Sequence, residues 1–164
     1  RIRTLTLGCT YCGGEGSALA DPEAFGRLAE AWRSGDRERA LRAGWEINVS
    51  RAFAADEAAY AAFRAAALEL PVPLAVIMGQ LQAIGAHDTS ARLAEITAPT
   101  LVVHGTDDEM LPVANAHMIA ARIPGARLEI LDGVGHLFWL ERPERSAELL
   151  REHARAHAAS TPGS

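Results

Sequence analysis

Lysine is missing from this 164-residue chain, whose sixteen basic residues are all arginine. Against them stand 21 acidic residues, a net charge of -5, so the chain offers no excess of positive charge to a nucleic acid or an anionic membrane surface. No apolar run approaches the ~20 residues that span a bilayer, and no basic region followed by an apolar stretch and a small-residue cleavage site opens the sequence. The expectation is a cytoplasmic protein with no nucleic-acid partner and no membrane partner. No methionine stands first either: "RIRTLTLGCT" enters directly as a strand, as expected of the C-terminal portion of a longer protein. Only two cysteines occur, in Cys9-Thr-Tyr-Cys12. The spacing matches a redox pair or half a zinc site, but Gly13 and Gly14 continue it as a loop instead of a helix, and a second ligand pair is lacking. A structural role is expected of both, and no metal or cofactor.

What the chain has in quantity is apolar residues, 49%, with alanine alone about a fifth. Residues 2 to 7, "IRTLTL", alternate branched and polar side chains and stop at Gly8, which predicts a strand, with the loop "GCTYCGGEGS" after it. From Asp21-Pro22, an N-cap followed by proline at the first helical position, to about His87 the apolar residues recur at helical spacing. Leu28, Trp32, Leu41, Trp45, Val49, Phe53, Tyr60, Phe63, Leu74, Ile77, Met78, Leu81 and Ile84 are the buried-face candidates. Breaks at Ser34-Gly35-Asp36, Ala55-Asp56 and Pro71-Val72-Pro73 divide the segment into about four helices.

After Asp88 the period changes. "ITAPTLVVHG" is a short continuous apolar run of the kind found in a parallel strand buried on both faces. "LPVANAHMIAARIPG" predicts a helix with Val113, Ala116, Ile119, Ala120 and Ile123 inward, "ARLEILDG" a further strand, and "ERPERSAELLREHARAHAA" a last amphipathic helix. Strand, helical insert, strand, helix, strand, helix is an α/β order suited to parallel crossovers. The predicted sheet therefore has three parallel strands in chain order.

Parallel sheets gather chemistry in the loops beyond the carboxyl ends of their strands. One such loop, "HGTDDEMLP", holds three successive acids, and the other, "DGVGH", holds His136 between glycine-rich backbone and Leu137. A carboxylate among Asp107, Asp108 and Glu109 that accepted a hydrogen bond from one ring nitrogen of His136 would leave the other free to take a proton. His104 ends a buried strand, and a structural place is expected for it. His153 and His157 stand four apart on the last helix with no third ligand between them, too few for a metal site.

At these residues the chain resembles the α/β-hydrolase superfamily, through "APTLVVHGTDDEMLPVANA", "IPGARLEILDGVGH" and "ERPE". The resemblance implies a partial α/β-hydrolase fold: 1–20 as a core strand and loop, 21–87 as a helical cap, 88–158 as the C-terminal core with the acid and histidine loops, and 159–164 as a disordered tail. It implies Asp108 as the acid, three residues after the glycine of an H-G-x-x-D pattern, and His136 as the base, with Asp107 the second choice of acid. The family's nucleophile stands in G-x-S-x-G on a strand-to-helix turn, and this sequence has none; Ser17, Cys9 and Cys12 lack that context. The nucleophile and oxyanion hole, and with them the missing N-terminal half of the hydrolase domain as a partner, are expected outside the chain. A small apolar acyl substrate, an ester or lactone, is expected beside Leu111, Leu137, Phe138 and Trp139, with Trp32, Trp45, Phe53, Phe63, Met78 and Leu81 of the cap as further candidates. Haloalkane, epoxide or C–C-bond hydrolysis, cofactor-free haloperoxidase chemistry, or simple binding by a non-catalytic remnant are the alternatives that the same architecture allows.

Overall fold

A computed structural model describes residues 2–158 apart from the side chain of Leu74, so the tail expected at 159–164 and the burial expected of Leu74 lie outside the described residues. Three strands, β1 (Leu5–Gly8), β2 (Thr100–Gly105) and β3 (Arg127–Leu131), form one sheet in the order β1-β2-β3. Both pairings are parallel, with Leu5 opposite Thr100 and Leu101 opposite Arg127. All six residues of β2 are buried, which is why its sequence is a continuous apolar run instead of an alternating one. Leu101 and Val103 face one layer with Leu131, Val134, Phe138 and Leu149, while Val102 faces the other with Leu93, Ala116, Ile119 and Ile123. Parallel strands need long crossovers, and here each crossover carries helices.

Between β1 and β2 lie α1 (Pro22–Arg33), α2 (Arg37–Asn48), α3 (Glu57–Glu69) and α4 (Leu74–Ala86), the four helices that the breaks predict. Aspartate starts three of them by the same device. Asp21, Asp36 and Asp56 each accept two backbone N–H groups of the first turn that would otherwise lack partners. Ala24 and Leu28 of α1 close on Ile47 of α2, and Trp45 sits wholly buried among the rings of Phe53, Tyr60 and Phe63 at 5.3–6.2 Å. α4 begins after Pro73 without a side-chain cap, contains no charged residue, and leaves Val76, Met78 and Ile84 exposed. Among the described residues, no helix is long and apolar enough to cross a membrane.

After β2 come α5 (Ala114–Arg122), β3, α6 (Phe138–Glu141) and α7 (Pro143–Ala156). Three boundaries differ from expectation: β1 begins at Leu5 and not Ile2, which is exposed and unpaired with β2. α5 starts at Ala114 and not Leu111, because Asp108 holds residues 108–111 in a turn. The last helix, α7, starts at Pro143 and not Glu141, with α6 as a separate turn before it: Arg142 precedes a proline, which disfavours the helical region, and takes φ -136° and ψ 64°. The short α6 that results drives Phe138 into the core under Gly8, where an added Cβ would come within 2.8 Å of the phenyl ring.

Candidate active site

Asp108 stands three residues beyond the end of β2, buried, and all four of its contacts are donors. Oδ1 accepts the N–H groups of Met110 (2.9 Å) and Leu111 (2.8 Å), a local turn that fixes the carboxyl group's rotamer. Oδ2 accepts from Nδ1 of His136 at 2.9 Å and lies 3.1 Å from Nε2 of His104, whose N–H it shares with Leu111 O at 2.7 Å. Burial alone would push the Asp108 pKa up. The hydrogen bonds from His104 and His136, the His136 charge and the Leu111 N–H outweigh it and bring the pKa down to about 2. The neighbouring acids do not reach His136: exposed Asp107 accepts from Thr106 Oγ1, and Glu109 pairs with Arg27 at 2.8 Å.

His136 is delivered by a loop tied down on both sides. Toward the acid loop, Thr106 N–H donates to Leu131 O, Asp107 N–H to Val134 O, and Gly133 N–H to Thr106 Oγ1. Toward the helical insert, Leu137 N–H donates to Asn48 O at 2.8 Å. Buried Glu141 completes the attachment: its carboxylate accepts Gly135 N–H, Ser50 N–H and Ser50 Oγ–H at 2.6–2.8 Å. Gly135 is required here by space, since a Cβ would fall on the backbone of Val49 and Ser50. Sequence reasoning missed Glu141, Ser50 and Asn48; the one available signal was an acid at the end of the apolar run "LFWLE".

With Nδ1 spent on Asp108, the imidazole lines a cavity of about 790 Å³ whose walls include Tyr11, Leu19, Phe25, Leu81, Ile84, Met110 and Leu111. Nε2 of His136 has no hydrogen-bond partner among the described residues, so it is the nitrogen open to a ligand. Of the residues expected beside a substrate, Leu111 and Leu81 line this cavity. The other candidates do not line this cavity. Trp45 is fully buried in the insert's own core, its Nε1 donating to Ala54 O, with Phe53 and Phe63 packed against it. Trp32 packs on the Ala24, Leu28 and Ile47 cluster. Phe138 turns down into the sheet, Trp139 is exposed with its ring edge-on to that of Phe138 at 5.2 Å, and Leu137 is half-buried. Met78 is 55% exposed on α4. Tyr11, Leu19 and Phe25, from the loop after β1 and from α1, take their places.

Cys9 comes closer to the pair than its sequence context suggests, for its sulfur, the Asp108 carboxylate and the His136 ring all lie within 4.8 Å of one another. Burial first, then the Asp108 charge, push the thiol up to about 12, so it stays protonated and is no nucleophile at neutral pH. With Asp108 already holding four donors, the trio suits hydrogen bonding better than a metal ion. Ser17 donates its hydroxyl to Gly13 O. His153 turns inward, Nε2 lying 3.1 Å from Leu5 O and 3.2 Å from Pro99 O, and so pins α7 under β1 and β2.

A parallel sheet with an acid after one strand, a histidine bonded to it after the next, and helices inserted ahead of both defines an α/β hydrolase. The model of the alpha/beta hydrolase family matches residues 4–149, and the chain belongs to that family. Over 66 residues, 40% of this chain and 20% of the relative, it is 36% identical to monoacylglycerol lipase abhd6-A of Xenopus laevis. Over 75 residues, 46% of this chain and 30% of the relative, it is 36% identical to the pimeloyl-acyl-carrier-protein methyl ester esterase of Aromatoleum aromaticum. Among solved structures, the N-acyl homoserine lactone degrading enzyme Est816 is 33% identical with a TM-score of 0.62, covering 80% of this chain and 51% of its own. The chain thus spans about half the length of that enzyme, and the matched stretches cover less than a third of each curated relative.

Proposed function

We propose that this chain supplies the proton-transfer half of an ester hydrolase that works through an acyl-enzyme. His136 takes the proton of an attacking hydroxyl at Nε2 and returns it to the leaving group, while Asp108 holds the ring in the Nδ1–H tautomer and stabilises the imidazolium. The observation that carries this reading is the 2.9 Å bond between Asp108 Oδ2 and His136 Nδ1 at the wall of an apolar cavity. The nucleophile and the oxyanion donors come from outside the chain, in an N-terminal half that pairs with the free edge of β1. Residues 21–87 act as the cap over the substrate. With Leu19, Phe25, Leu81, Ile84, Met110 and Leu111 around His136, and no arginine in the lining, the cavity suits an uncharged apolar ester, lactone or similar acyl compound. Lipase, esterase and lactone-degrading relatives support that substrate class. Two free buried cysteines fit the reducing cytoplasm as its compartment.

The test is a pair of substitutions in an enzyme that contains this chain with its upstream half. Asp108→Asn reverses the hydrogen-bonding role facing Nδ1, favours the wrong tautomer, and is expected to lower kcat by up to ~10⁴, as in the best-known triad. Asp107→Asn, whose side chain meets only Thr106, is expected to stay within about threefold of the parent. Equal losses in the two variants would reject Asp108 as the partner of His136.

A further inference from the structure

His104 is wholly buried at the end of β2, yet one of its two nitrogens is idle. Nε2 lies 2.7 Å from Leu111 O and 3.1 Å from Asp108 Oδ2, two groups that only accept, so the ring's proton is on Nε2. Nδ1 has no partner at all. A proton added at Nδ1 would be a buried N–H with no acceptor. A side chain that merely filled the strand's end would serve better as leucine, without a buried polar atom left unpaired. The unpaired atom is the cost of placing a donor at Nε2, and that donor is spent on the acid loop.

Oδ2 of Asp108 therefore serves two imidazoles at once, His136 at 2.9 Å and His104 at 3.1 Å. We infer that His104 is a positioning residue for the proton-transfer pair: by donating to the same carboxylate oxygen it fixes Asp108 and weakens that oxygen's hold on the His136 proton. The inference rests on the proposed role of Asp108 and His136 for its meaning in catalysis. Its physical content is independent of turnover. A carboxylate oxygen that already accepts one neutral donor is a poorer base toward a second, so the imidazolium form of His136 gains less from it.

The groups that surround His136 are Asp108 from the loop after β2, Cys9 from the end of β1, Glu141 of α6 bonded to the adjoining Gly135 amide, and His87 of the same cavity wall beyond α4. Among these, it is Asp108 that a substitution at residue 104 touches directly. The experiment is a pH titration of the His136 ring resonances by NMR in the 164-residue chain, in the parent and in His104→Leu and His104→Gln. Leucine keeps the volume and removes the donor, while the glutamine amide nitrogen reaches the place of Nε2. The expected result is that His136 titrates about 0.5–1 pH unit higher in His104→Leu, the size of effect a single lost donor to its counter-ion produces, and within about 0.2 unit of the parent in His104→Gln. An unchanged titration in His104→Leu, or an equal upward shift in His104→Gln, would overturn the inference. Should the leucine variant fail to fold, His104→Asn, whose shorter amide stops short of Asp108, is read in the same way: an upward shift supports the inference and no shift overturns it. Because the titration needs no hydrolysis, it succeeds or fails separately from the hydrolase reading.

Discussion

Glu141 offers the sharpest test of how the histidine loop is held. Its carboxylate is 6% exposed, has no basic partner among the described residues, and accepts three hydrogen bonds from Ser50 N, Ser50 Oγ and Gly135 N at 2.6–2.8 Å. Replacing it with alanine removes three bonds to a charged group, each worth about 1.5–3 kcal/mol, but also removes the cost of burying the charge. What remains is chiefly the cost of two buried amides left without an acceptor, about 1–3 kcal/mol each, since the Ser50 hydroxyl can turn elsewhere. The net loss expected for Glu141→Ala is therefore about 2–6 kcal/mol, a large share of the ~5–15 kcal/mol that stabilises a typical domain. Glu141→Gln keeps an oxygen for both amides and turns its NH₂ toward the Ser50 hydroxyl, and is expected to lose only about 1 kcal/mol.

Urea unfolding followed by far-UV circular dichroism measures both. With a slope of ~2 kcal/mol/M, Glu141→Ala should lower the midpoint by about 1–3 M at unchanged slope. Amide exchange gives the local counterpart: Gly135 and Leu137, whose N–H groups tie the loop to Glu141 and to Asn48, should exchange faster in the alanine variant while β2 stays protected. A loss below about 1 kcal/mol in Glu141→Ala, or equal losses for alanine and glutamine, would refute the reasoning that these bonds hold the loop to the insert.

Two further outcomes follow from the same geometry. The Asp108 pKa is about 2 in the folded chain against an ordinary 3.8, so its contribution to stability is fully present above pH 3.8 and is lost as the pH falls through 2; the difference corresponds to about 2 kcal/mol. The stability gap between the parent and Asp108→Asn, measured by urea unfolding at pH 6 and pH 2, should narrow by about that amount, and a gap independent of pH would contradict it. At Gly135 an added Cβ meets the Val49 and Ser50 backbone, whereas at Gly133 it meets open space but a φ of 65°. Gly135→Ala should cost about 3 kcal/mol and Gly133→Ala about 1, from the midpoints of the same unfolding curves; the reverse order would show that the loop does not pack on the insert as described.

The strands were legible because β2 is buried on both faces and its apolar run is bounded by Pro99 and Gly105, and the insert's helices because aspartate, proline and glycine mark their ends. The pairing of Asp108 with His136 was legible for a related reason: both lie just past strand ends, where neighbouring parallel strands bring their loops together. The cavity wall was not. Helical spacing says that Trp45 faces inward but not whether inward means the ligand or the insert's own centre, and the rings of Phe53, Tyr60 and Phe63 decide for the latter. α4 has no charged residue to mark a solvent side, so its period could not separate exposed Met78 from Leu81 in the wall. His104 and Glu141 act through hydrogen bonds to atoms whose placement depends on the whole fold, and a residue type in a sequence carries no such direction.

The central claim, that Asp108 and His136 serve a nucleophile supplied from outside the chain, is tested most directly by release of p-nitrophenol from short-chain esters. The purified 164-residue chain should give no more turnover than its His136→Ala form, because a base without an attacking hydroxyl and oxyanion donors forms no acyl-enzyme. Supplied with a separately expressed upstream half, the chain should gain activity that His136→Ala abolishes. Robust turnover by the chain alone, lost when Ser17 or Cys12 is replaced by alanine, would contradict the claim and put the nucleophile within these residues.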